Sequence, residues 1–97
     1  MPWYRVMIRG ENLLMRMNEV VQRFGFYTRR FIEAPTCDDV ERCAVEHIQD
    51  DTYLRGAMLN PSDSPPEIFI DEFTEVDASA VPEIQDGLTF FPAEDNA

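Results

Sequence analysis

From Trp3 to Arg9 the side chains alternate, with Tyr4, Val6 and Ile8 on one side and Trp3, Arg5, Met7 and Arg9 on the other. A period of two predicts a strand with one buried face. Gly10-Glu11-Asn12 interrupts it with turn chemistry. Leu13 to Met17, with Arg16 directed outward, then predicts an antiparallel partner that ends at Asn18-Glu19. Val20 to Ala34 is rich in β-formers, and Gly25 in its middle predicts a third strand that is bent or bulged there.

The period changes after Ala34-Pro35. Thr36 is suited to cap a helix, with Asp39 three residues on in place of the capping-box Glu, and Asp38 and Asp39 sit where the helix dipole favours anions. Val40, Cys43, Ala44, His47 and Ile48 then form one apolar stripe, opposite an outer face of Asp38, Glu41, Arg42 and Gln49. The pattern weakens at Asp50-Asp51, and Leu54, Ala57 and Met58 predict a short further turn. Asn60 to Pro66 holds three prolines in seven residues and reads as a loop. Glu67 to Val76 reads as a last strand, with Ile68 and Ile70 on one face and Phe69, Asp71 and Phe73 on the other.

These elements predict an α+β fold in the order β-β-β-α-β, a small single-layer antiparallel or mixed sheet covered by one main helix. Residues 1–76 form the expected domain, and residues 77–97, with five acids, no base and prolines at 82 and 92, an acidic C-terminal tail. A chain of 97 residues accommodates one such core.

Charge changes the picture. The net charge of −11 argues against a general nucleic-acid or anionic-membrane binder. Yet residues 1–32 carry a net +4 and residues 33–97 a net −15, and all eight cations are arginine. The opening residues make no signal-peptide core, because Arg5 breaks a short apolar run, and no stretch approaches the roughly 18 apolar residues of a membrane span. The expected location is cytoplasmic. Cys37 and Cys43, about 9 Å apart if on one helix at ~1.5 Å per residue, are expected to be free thiols.

Catalytic chemistry finds little support. Asp39, Cys43 and His47 recur at four-residue spacing and offer three ligand types, but they lie in the stripe that must cover the sheet, with no further cysteine or histidine pair to complete a metal shell. Cys37 gains reactivity from the dipole and loses it to Asp38 and Asp39. Ser62, Ser64 and Ser79 fall outside any nucleophile-elbow motif, and four scattered glycines make no phosphate loop. Neither a catalytic residue, a cofactor nor a metal site is expected.

Gln85-Asp86-Gly87-Leu88-Thr89-Phe90-Phe91 resembles the Gln-x-x-Leu-x-(Leu/Phe) peptides that dock on bacterial sliding clamps, with Asp86 in place of their usual apolar residue. Packing of Leu88, Phe90 and Phe91 on the chain's own sheet or on a partner is the competing expectation.

By elimination the sequence predicts a non-catalytic acidic protein-binding module of inhibitor, immunity or adaptor type, with a mimic of nucleic acid as the sharper version of that class, and a homodimer. Its expected partner-binding residues are Trp3, Arg5, Met7, Arg9, Arg16, Leu88, Phe90 and Phe91. The competing readings are a nucleic-acid binder using the arginine-rich strands and a small enzyme using Cys37 or His47.

Overall fold

The computed structural model describes residues 1–83 and 87–92. Its strands are β1 (Trp3–Met17), β2 (Val20–Glu33), β3 (Glu67–Val76) and β4 (Thr89–Pro92), with helices α1 (Val40–Gln49) and α2 (Thr52–Ala57) between β2 and β3. All pairings are antiparallel, in the spatial order β3-β1-β2-β4. The fold is α+β with a four-stranded sheet and one main helix. The expected order β-β-β-α-β is corrected: the first two expected strands are one, and a fourth strand closes the sheet within residues 77–97.

The reason lies at Gly10-Glu11-Asn12, which is a bulge and not a turn. Gly10 pairs with Phe26 and Leu13 with Phe24, so β1 holds one residue more than its partner there. Asn12 takes a left-handed φ of 61°. The extra residue reverses the alternation, and Val6 and Ile8 before it share the buried face with Leu13 and Met15 after it. Gly10 is obligatory here because a Cβ would overlap the ring of Phe26. The bend expected in β2 is therefore a bulge in β1, opposite Gly25.

A second bulge sits in β3, where Met7 pairs with Glu72 but Ile8 with Ile70. The extra residue, Asp71, turns Phe73 onto the inner face, edge-to-face with Tyr4 at 5.9 Å between ring centroids. Phe73 therefore does not share a face with Phe69, contrary to the strict alternation read from sequence. With its bulge and the carboxylates of Glu67, Asp71, Glu72 and Glu75, the outer edge of β3 is poorly suited to pairing with another copy of itself.

The core lies between the inner sheet face and the helices. Val40, Ala44 and Ile48 of α1 and Leu54 of α2 are buried against Val6, Ile8, Leu13, Met15 and Phe26. Thr36 does not cap a backbone N–H; its hydroxyl donates to Asp39 Oδ2 at 3.0 Å, a short 3-10 turn covers Cys37–Asp39, and α1 begins at Val40. Asp51 caps α2, its Oδ1 accepting from Leu54 N at 3.0 Å. Asn60 anchors the proline-rich loop to the bulged end of β1, accepting from Leu14 N at 2.9 Å and donating to Asn12 O at 2.7 Å. Among the described residues no helix is long and apolar enough to cross a membrane.

Candidate interface on the open sheet face

The face of the sheet away from α1 carries a regular pattern. By register, Arg5 of β1 stands opposite Phe31 of β2, Met7 opposite Arg29, Arg9 opposite Tyr27, Leu14 opposite Arg23 and Arg16 opposite Val21. Each cross-strand pair therefore holds one arginine and one apolar residue, and the arginine changes strand from rung to rung. The result is a zigzag of cations down the centre of the face with apolar side chains between them. Tyr27 and Val21 are each 43% exposed, and Arg5, Arg16, Arg23 and Arg29 are exposed.

β4 completes this surface. Gly25 lies on the open face between the third and fourth rungs, where a Cβ would overlap the Phe91 ring. The missing side chain lets Phe91 lie over β2, 5.3 Å from Tyr27 between ring centroids. Phe90, one residue earlier, points to the core and meets Phe26 and Tyr53. Trp3, Arg5, Met7, Arg9, Arg16 and Phe91 thus share the open face, while Leu88 and Phe90 pack against the core. With Leu88 and Phe90 so engaged, the clamp-type peptide is not displayed as a free segment; Gln85 and Asp86 of that pattern lie outside the described residues.

The arginines differ in their company. Arg9 is held by Glu11 at 2.5 Å and Asp71 at 3.3 Å, and its guanidinium lies 4.4 Å above the centre of the Phe69 ring. Arg23 donates to Asn12 Oδ1, a neutral acceptor, and makes no ion pair among the described residues. Arg5, Arg16 and Arg29 make no ion pair among the described residues. Glu33 and Glu72 border the open face, beside Trp3 and Met7 by register, and Asp38, Glu41, Glu46 and Asp50 are exposed on the helical side.

Arg30, next to Arg29, points the other way and is 3% exposed. Its Nε donates to Thr28 Oγ1 at 3.0 Å, its Nη1 lies 3.2 Å from His47 Nε2, and its Nη2 donates to Asp51 Oδ2 at 3.1 Å. The Thr28 hydroxyl in turn donates to Gly87 O, which ties the approach to β4 into the same network. Burial, then the Arg30 charge, hold His47 below its usual pKa against the pull of Asp51 and Asp50.

This arrangement bears on the catalytic readings. A guanidinium has no acceptor, so the lone pair of His47 Nε2 is turned towards Arg30 and not towards a nucleophile. Cys37 is exposed in the 3-10 turn, ten residues from His47 in sequence and on the order of 15 Å away along a helix axis. Both cysteines are unpaired. Among the described residues no three His, Cys, Asp or Glu side chains converge as a metal site. An apolar cleft of about 260 Å³ opens between Leu13, Leu54, Met58, Pro66 and Ile68, with Gln49 as its polar contribution.

Sequence reasoning missed Tyr27, Arg29 and Phe31 on this surface. No family model, no curated protein and no solved structure matches the chain.

Proposed function

We propose that the chain is a non-catalytic protein-binding module and that the open sheet face is its interface. The observation that carries the reading is the group of exposed arginines, Arg5, Arg16 and Arg29, which make no ion pair among the described residues of an acidic protein and are interleaved with Met7, Phe31 and Tyr27. Arginine among aromatic and aliphatic side chains is the composition of interface centres, where guanidinium groups supply both stacking and charge-assisted hydrogen bonds. The partner is a protein with an acidic surface, drawn in by local charge complementarity. A second copy meets the face less well, because it brings the same row of arginines, of like charge, against the first.

A photo-crosslinking residue placed at Met7, and separately at Glu41 on the helical side, tests the reading in cells that encode the protein. Protein adducts are expected from position 7 and not from position 41. Adducts to nucleic acid from position 7, or protein adducts from position 41 alone, overturn it.

A further inference from the structure

We infer that the partner presents to this face an extended segment with carboxylates on alternate residues; the inference rests on the protein-binding reading above. On either side of Gly25 the rungs follow one another every two residues, about 6.8 Å at ~3.4 Å per strand residue. Across Gly25, Tyr27 and Arg23 stand four residues apart, about 13.6 Å, so an extended polypeptide, whose same-side groups repeat every two residues, keeps step with all five rungs. From the Arg5 rung to the Arg16 rung the face spans ten residues of β2, about 33 Å, the length of an extended segment of roughly eleven residues. A helix repeats its face about every 5.4 Å and drifts around its axis, so it cannot keep step with the rungs.

The ends of the zigzag are closed by acids. Trp3 pairs with Glu33 beyond the Arg5 rung, and Glu19 lies in the turn beyond Arg16. A peptide can confine its carboxylates to the rungs between these limits. A polynucleotide carries its charge along its whole length, past Glu33, Glu19 and the Glu72 margin of β3. The apolar members also favour a peptide: Met7, Leu14 and Val21 are aliphatic, so three of the five rungs offer no ring on which a base could stack. The alkyl side chains instead suit the methylene and methyl groups of a polypeptide.

The test uses the full chain and three probes: a peptide of about eleven residues alternating Glu and Thr, a peptide of the same composition with its glutamates in one block, and a single-stranded oligonucleotide of similar length. Binding is read by fluorescence anisotropy of labelled probes at low and physiological salt. The alternating peptide is expected to bind at least about tenfold more tightly than the blocked one, with affinity falling as salt rises. Arg5→Gln with Arg29→Gln is expected to weaken it about tenfold or more while the thermal midpoint stays unchanged, since both side chains are exposed and make no ion pair among the described residues. Equal binding of the two peptides overturns the extended register. Failure of both peptides, with position-7 protein adducts still forming, overturns this inference and leaves the protein-binding reading standing. Tighter binding of the oligonucleotide than of either peptide overturns both.

Discussion

Arg30 Nη1 lies 3.2 Å from His47 Nε2, so the one buried arginine of the sheet is read by a neutral histidine. Because the guanidinium can only donate, His47 carries its proton on Nδ1, and protonating Nε2 would set two cations against each other. Burial and Arg30 hold the folded His47 below its usual value, so the unfolded chain takes up the proton first as pH falls. The stability due to this contact is therefore complete above about pH 6.5 and is lost as pH falls through the lower folded value. His47→Gln, which keeps an acceptor and does not titrate, is expected to lose less stability than the parent between about pH 7.5 and pH 5. Urea midpoints at the two pH values provide the check; equal losses in parent and variant would contradict the assignment.

Two glycines make room for two phenylalanines on opposite faces, and their substitutions should differ in cost. Gly10→Ala meets the fully buried ring of Phe26, which has nowhere to go. Gly25→Ala meets Phe91 on a four-residue strand that can shift, and its Cβ also stands 2.9 Å from the backbone oxygen of Gly10, which must give slightly. Overpacking is expected to cost about 1–3 kcal/mol at Gly25 and the upper end of that range or more at Gly10. Denaturant melts of the two variants check the ranking. The Gly25 variant should also change Phe91 and Tyr27 ring signals, and equal costs would count against the packing described.

Ala44 is completely buried at the centre of the α1 stripe. Ala44→Asp places a carboxylate there without a partner and is expected to cost several kcal/mol. Thermal unfolding reads the loss directly, and an unchanged midpoint would place this helix face in solvent.

The helix was legible because its stripe keeps one period from Val40 to Ile48 with nothing to interrupt it. β1 was not, because its bulge uses glycine and asparagine, the residues that also make turns, and its reversal of alternation imitates two strands. Asp71 hid the orientation of Phe73 in the same way. In β2 the difficulty was chemical: the buried face contains Thr28 and Arg30, while the open face contains Tyr27, Arg29 and Phe31. Polarity therefore does not separate the two faces, and Arg29-Arg30 gives no hint of which guanidinium is buried. The arginines of β1 were singled out from sequence; their zigzag with Arg23 and Arg29 emerged only with the register.

The open face is tested most directly by reversing charge on each side of the molecule and measuring how much partner the protein retains. Arg5→Glu with Arg29→Glu alters the zigzag, and Asp38→Arg with Glu41→Arg alters the helical side; all four side chains are exposed, so both variants should fold. Complexes captured from cells that encode the protein would be quantified at physiological salt. The sheet variant is expected to retain at least about tenfold less partner than the parent, and the helical variant about as much as the parent. Loss of the partner from the helical variant, with the sheet variant unaffected, would contradict the account.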